Sequence, residues 1–338
     1  MRTPVGVAMS IAIAAAAYIA FSPRALPPIE TVHIPVQDMQ LNGIERTSSG
    51  LLIAGELGKI LVSQDQGNTW TEAQIDQNRQ ALITRLMFVD ERNGLALGHE
   101  GWILRTEDGG RTWSETAFDE SNGEPLMSAA RLPDGNWLVI GAFGRLLLST
   151  DDRKTWEDFS IPGLTDWHLN AIASSGDQQQ WLIVGEAGTA LRSVDKAGSW
   201  EVIEPFYNGS LYGAVHLGGD VWITYGMRGH VFRSEDAGLT WQESKVPAPV
   251  SLYSHLTTQG GELLLFGQGG LVLSSADSGK VFRVVQRAER GAITDVALMP
   301  DGRLALATDG GLDIIAPTRV AGTNGSQINA SRSKAGES

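Results

Sequence analysis

A box of the form S/T-x-D-x-G-x-T-W returns through most of the chain at nearly constant spacing. Its clearest copies are Ser63–Trp70, Thr106–Trp113 and Ser234–Trp241. Weaker copies run Ser149–Trp156 (Arg153 in place of glycine), Ser193–Trp200 (glycine moved to Gly198) and Ser275–Phe282. The box aspartates Asp65, Asp108, Asp151, Asp195, Asp236 and Asp277 lie 43, 43, 44, 41 and 41 residues apart. A second marker, G-x-x-G, keeps the same period at Gly55, Gly98, Gly141, Gly185, Gly226 and Gly267. A seventh unit, Thr308-Asp309-Gly310-Gly311, begins 41 residues after Gly267. Two markers on one period make the body of the chain a repeat array, in which each unit buries its apolar faces against its neighbours.

Each unit reads as β structure. Leu51–Ala54, Trp137–Ile140, Trp181–Val184 and Leu263–Phe266 are short apolar runs bounded by glycine turns, as expected of strands covered on both faces. A second run follows each G-x-x-G, as in Lys59–Val62, which predicts a hairpin. A weaker strand precedes each pair, for example Leu86–Val89 and Asp295–Leu298, and the T-W end of the box begins a fourth. Four antiparallel strands in about 40–45 residues describe one blade of a β-propeller. The expected fold is therefore all-β, a seven-bladed propeller over residues 31–316. The last unit has only three strands of its own, so Thr31–Val36 is expected to supply the fourth and close the ring. The boxes are expected to be folding devices: aspartate accepts backbone N–H groups across a turn, glycine permits positive φ, and tryptophan packs on a neighbouring blade. Seven of the ten tryptophans fall at blade positions in this scheme (70, 113, 137, 156, 181, 200 and 241).

Composition narrows function by exclusion. The 338 residues include 40 Gly and no Cys, and the formal net charge is −13. Residues 1–24 carry only Arg2 and Arg24, which leaves −15 on the remainder. Such a body lacks an electrostatic footprint for nucleic acid and is repelled by anionic lipid headgroups. Without cysteine there are no disulfides, thiolate metal sites or lipoprotein anchor. Arg2 precedes an apolar run from Val5 to Phe21, which reads as a signal peptide or an uncleaved membrane anchor. Residues 1–24 form that address, 25–30 a Pro-containing linker, and the polar stretch 317–338 an expected disordered tail. The expected location is outside the cytoplasm, in a periplasm or thylakoid lumen, with the membrane approached only through the N-terminal segment.

In a four-stranded blade the second hairpin turn shares a face with the loop entering the first strand, and the box turn lies on the opposite face. The first face therefore carries the G-x-x-G inserts, and the innermost strands are expected to begin near Asn42, Arg85, Ser128, Asn170, Tyr212, Tyr253 and Thr294. From these the candidate binding residues are Asn42, Arg85, His99, Glu100, Asn170, Glu186, Tyr212, Arg228 and Tyr253. No catalytic residue, metal ligand or cofactor is expected. The six histidines lack metal spacing, and no nucleophile elbow, P-loop or dinucleotide fingerprint occurs. Asp166, Glu186, Glu100, Glu56 and Asp295 could converge as a carboxylate pair, which keeps a glycoside hydrolase or carbohydrate-binding propeller as the alternative.

The boxes at 63–70, 106–113 and 234–241 resemble those of BNR, or Asp-box, propellers. The phrase Asp90–Thr106, DERNGLALGHEGWILRT, is similar to one branch, the photosystem II stability and assembly factor family with its relatives in non-photosynthetic bacteria. The resemblance covers about residues 38–316. It implies a non-enzymatic, exported, monomeric propeller whose partner is a membrane protein complex or its assembly intermediates. It also implies an arginine patch, for which Arg85, Arg105 and Arg228 are scattered candidates. The F-R-I-P motif of sialidases is missing, and the chain has room for one propeller where xyloglucan-type glycosidases use two.

Overall fold

The computed structural model describes residues 35–121, 123–287 and 291–316. Seven antiparallel sheets follow one another along the chain. Blade 1 comprises Leu41–Thr47, Gly50–Gly55, Ile60–Ser63 and Thr71–Glu72, paired in sequence order from the innermost strand outward. Blades 2 to 6 repeat this order, their innermost strands being Ile83–Phe88, Leu126–Arg131, Leu169–Ser174, Leu211–Gly218 and Leu252–Thr257. Blade 7 holds Ile293–Leu298, Leu304–Thr308 and Gly311–Ile315. The fold is the expected seven-bladed, all-β propeller. Innermost strands start one or two residues before the positions read from sequence, on an apolar Leu or Ile that is fully buried in five of the seven blades.

The second strands are buried along almost their whole length because each blade is covered by neighbours on both sides. One such interface packs Leu52 and Ile60 of blade 1 on Leu86, Trp102, Leu104 and Trp113 of blade 2. Another packs Leu182 and Val184 of blade 4 on Leu211, Trp222 and Phe232 of blade 5.

Blades 1 and 7 meet through their innermost strands. Thr294 Oγ1 donates to the Leu41 carbonyl (2.7 Å), and Ile44 N–H donates to Asp295 Oδ2 (3.3 Å). The strand expected at Thr31–Val36 lies mostly outside the described residues. Its last two, Pro35 and Val36, are not in a strand, although Val36 is buried and the neighbouring Gln37 carbonyl lies over Gly311. One further element departs from the repeat: Gln74–Ile75 pairs in parallel with Thr112–Trp113, adding a fifth strand to the outer edge of blade 2. Among the described residues no helix is long and apolar enough to cross a membrane. Residues 1–34 and 317–338, which hold the address, linker and tail read from sequence, lie outside the description.

Candidate partner-binding face

In blades 1 to 6 the hairpin joining the second and third strands closes on the same turn, whereas in blade 7 its central residues Asp309 and Gly310 lack the positive φ values. In blade 1, Lys59 N–H donates to the Glu56 carbonyl (3.1 Å), and the two central residues, Leu57 and Gly58, have φ of 56° and 66°. Two consecutive positive φ values define a type I′ turn, whose twist matches that of the flanking strands. The first central residue is not glycine in five blades: Leu57, Glu100, Phe143, Ala187 and Arg228, all at φ 52–57°. Each holds its side chain in a left-handed backbone that disfavours a Cβ by about 1–2 kcal/mol.

Two recurring hydrogen bonds pin these turns. The residue after the first glycine donates to the carbonyl preceding its own innermost strand: Glu56 to Gln40, His99 to Leu82, Ala142 to Pro125, Glu186 to His168, Met227 to Ser210 and Gln268 to Ser251. The second glycine donates to the loop entering the next blade, as in Gly144 to Trp167 (2.9 Å) and Gly188 to Gly209 (2.9 Å). The two glycines serve different ends. Gly185 has extended backbone (φ −159°), but a Cβ there would lie 2.1 Å from the His168 carbonyl oxygen, so close approach excludes other residues. Gly188 has φ +71° and its Cβ would lie 2.0 Å from the Tyr207 carbonyl. The result is a backbone-pinned rim with one variable side chain in each of five blades.

The candidates from sequence take distinct positions on this frame. Asn42 and Asn170 carry a stitch between blades: their Nδ2 groups donate to the Ile83 carbonyl (2.9 Å) and the Leu211 carbonyl (2.8 Å) of the next innermost strand. Thr84 and Thr294 make the equivalent bond to Leu126 and Leu41. His99 and Glu100 are exposed on the blade 2 turn, where the Glu100 carbonyl accepts from Asp119 N–H (2.9 Å). Arg85 is half-buried in the innermost strand of blade 2, and Arg228 is exposed on the blade 5 turn. Neither has an ion-pair partner among the described residues.

Glu186, Tyr212 and Tyr253 are brought together. The two tyrosine rings lie 5.5 Å apart at 36°. Burial and the neighbouring Tyr253 phenol push the Tyr212 phenol up, and Glu186 adds to the same direction. Around Glu186 stand His168 and Trp167, which the repeat did not single out, and Phe143, a G-x-x-G insert that was not among the candidates. His168 Nε2 lies 3.7 Å from the Glu186 carboxylate, and its Nδ1 accepts from Phe143 N–H (3.0 Å). The Phe143 ring meets His168 edge-on at 4.6 Å, and Trp167 is its exposed neighbour. An arc of rings thus runs from blade 3 to blade 6. The sequence held a signal for Trp167. It is one of three tryptophans without a position in the repeat scheme, and the other two, Trp102 and Trp222, are each 1% exposed against 46% for Trp167.

The opposite face is built from the boxes, which repeat one hydrogen-bond set. At Asp65, Ser63 Oγ donates to Oδ1 (2.8 Å), Thr69 N–H donates to Oδ1 (2.8 Å) and Thr69 Oγ1 donates to Oδ2 (2.6 Å). Gly67 N–H donates to Ser63 Oγ (2.7 Å). Asp108, Asp151, Asp195, Asp236 and Asp277 accept the same backbone bond from the residue four positions on. These bonds hold the Asp65 and Asp195 carboxyls down at about 2, the hydroxyls of Thr69 and Ser199 having the largest effect. The carboxylates are spent on their own turns, which makes the boxes folding devices. Arg105 also belongs here rather than to a partner patch: Nη1 donates to the Asp152 carbonyl of the next blade (2.9 Å) and Nη2 pairs with Glu107 (2.8 Å). Arg192 and Arg233 make the same inter-blade bond, to the carbonyls of Asp236 and Ser278. Arg153, the residue standing for the box glycine, is buried with its guanidinium 5.0 Å from the Trp137 ring and near the Gly94 and Thr106 carbonyls. Among the described residues no group of three or more His, Asp or Glu could hold a metal ion.

Comparison with known proteins places this architecture. The family model of the photosynthesis system II assembly factor YCF48 matches residues 19–107. No curated protein matches the chain. Among solved structures, YCF48 bound to a D1 peptide is similar at a TM-score of 0.64 and 16% identity, over 86% of this chain and 95% of that one. YCF48 from Cyanidioschyzon merolae gives 0.66 and 13%, over 85% and 98%. The GH74 enzyme of Niastella koreensis gives 0.61 and 14%, over 83% of this chain and 53% of that one. At these identities the likeness to solved structures is one of fold.

Proposed function

We propose that this YCF48-like Asp-box propeller is a non-catalytic, exported protein. It binds a membrane protein complex, or intermediates in its assembly, and assists that assembly or the complex's operation. The observation that carries this reading is the rim of hairpin turns. A repeated backbone holds a different side chain in each of five blades, and an arc of rings runs from Phe143 to Tyr253. A rigid frame presenting varied side chains suits recognition of another protein. The YCF48 match supports the same direction, since one of those propellers was solved with a D1 peptide. The charged start and apolar run of residues 1–24 support delivery to a periplasm or thylakoid lumen, by a cleaved signal or a retained anchor.

A second reading has its own observation. Exposed rings beside carboxylates also suit a sugar, and the fold is shared with a GH74 enzyme. Two assays separate the readings. Co-purification of the full chain with a defined membrane complex from detergent-solubilised membranes, lost when Tyr212 and Tyr253 are both changed to alanine, supports the first. Turnover of aryl glycosides that disappears on changing Asp166 and Glu186 to their amides overturns it.

A further inference from the structure

The rim between the hairpin turns of blades 2 and 4 presents apolar rings to solvent beside carboxylates. Phe143 is 57% exposed and Trp167 46%. Backbone bonds lock the two together: Gly144 N–H donates to the Trp167 carbonyl, and Phe143 N–H to His168 Nδ1. Folding does not account for Phe143. Its ring is not buried, and its φ of 52° disfavours any side chain with a Cβ, a bulky one most. Blade 4 has Ala187 at the same position and blade 6 has Gly269. The ring is nevertheless held. Because His168 Nδ1 accepts, the imidazole proton sits on Nε2 and faces the Glu186 carboxylate, and this orients the imidazole against which Phe143 packs.

Carboxylates outnumber cations on this stretch, where Arg145 pairs with Asp158 (3.3 Å) and Arg85 is half-buried. Glu100, Asp119, Glu120, Glu124, Asp166 and Glu186 lie along it. The nearby guanidinium of Arg79 is committed to Glu115 (2.7 Å) and reaches Glu120 (3.5 Å). Anchored rings within a carboxylate border are complementary to an apolar side chain flanked by cations.

We propose that Phe143 and Trp167, with Asp166 and Glu186 beside them, form a docking site. It takes a peptide segment that carries an aromatic or long aliphatic side chain between lysines or arginines. This rests on the reading of the protein as a protein binder and names the chemistry of the segment bound.

The test titrates the full chain, in detergent micelles, with three synthetic peptides: Ac-GSKKFLKKSG-amide, Ac-GSEEFLEESG-amide and Ac-GSKKSSKKSG-amide. The first binds roughly ten-fold or more tightly than either other peptide, and added salt weakens it. Phe143→Ala and Trp167→Ala each raise its Kd by roughly ten-fold. Val281→Ala on the box face, where Val281 is 47% exposed, leaves it unchanged. Because the two rings are exposed, both variants melt within about 2 °C of wild type, which separates lost binding from lost fold. Equal affinity for the three peptides overturns the proposal, as does an equal loss in Val281→Ala. Binding of cellohexaose that depends on Phe143 and Trp167 overturns it in favour of a sugar. If a membrane complex still co-purifies with the Phe143→Ala, Trp167→Ala double variant, this site is wrong and the broader reading stands. If wild type retains neither peptide nor complex, the broader reading fails as well.

Discussion

Asp295 joins three blades, so its removal measures what ring closure contributes. The residue is fully buried in the innermost strand of blade 7. Ser254 Oγ of blade 6 donates to Oδ1 (2.9 Å) and Ile44 N–H of blade 1 donates to Oδ2 (3.3 Å). Asp295→Ala leaves both donors buried without these acceptors. At about 1–3 kcal/mol for each orphaned group, the cost is about 2–6 kcal/mol, the lower half favoured because a buried carboxylate is also released. For a domain of this size about 1 kcal/mol moves the melting temperature by about 2–4 °C, so about 2–4 kcal/mol should make the variant melt about 4–16 °C early. Thr294→Ala removes one closing bond, to the Leu41 carbonyl, and should cost about 1 kcal/mol. Circular dichroism and calorimetry should show one transition in each case, since an opened ring exposes blade interfaces in turn. A shift below about 2 °C in Asp295→Ala, or a separate early transition confined to blade 7, is incompatible with ring closure through this residue.

Further outcomes follow from other residues. The carboxyls of Asp65 and Asp195 lie at about 2, below the unfolded aspartate value near about 3.9. Their contribution is therefore complete above about pH 4 and lost as pH falls through about 2. Melting temperature followed from pH 7 to 2 should fall most across that window, less steeply in Asp65→Asn, and a flat profile contradicts the box account. Gly188→Ala combines φ +71° with a Cβ 2.0 Å from the Tyr207 carbonyl, whereas Gly218→Ala at φ +106° meets nothing within 4 Å. Urea denaturation should show the first losing several kcal/mol and the second about 1–2 kcal/mol. Arg153→Gly restores the box consensus and relieves φ 64°, yet removes the guanidinium packed on Trp137. A net loss of about 1–2 kcal/mol with a changed tryptophan emission is expected, and a stabilised variant contradicts it.

The boxes and glycine pairs revealed the ring because both are local. Asp65 finds every partner within four residues, and a type I′ turn needs only its own glycine. What stayed hidden depends on neighbours one repeat away. Asn42 and Asn170 read as open mouth residues because their acceptors, the carbonyls of Ile83 and Leu211, lie 41 positions on in another strand. Arg105 read as a patch candidate for the same reason, its acceptor being Asp152 of the next blade. His168 carried no signal of its own. Its role comes from Phe143 and Glu186, which only the packing of blade 3 against blade 4 brings together. The parallel strand Gln74–Ile75 had none either, being two residues held by the edge of another sheet.

Binding of a protein partner by the face of hairpin turns is probed by photocrosslinking in the host. A photoreactive residue replaces Ala187 on that rim or Leu239, exposed on the box face. Adducts are expected between the Ala187 position and a subunit of a membrane complex, and none from Leu239. Adducts to such a subunit from Leu239 alone would contradict binding by that face.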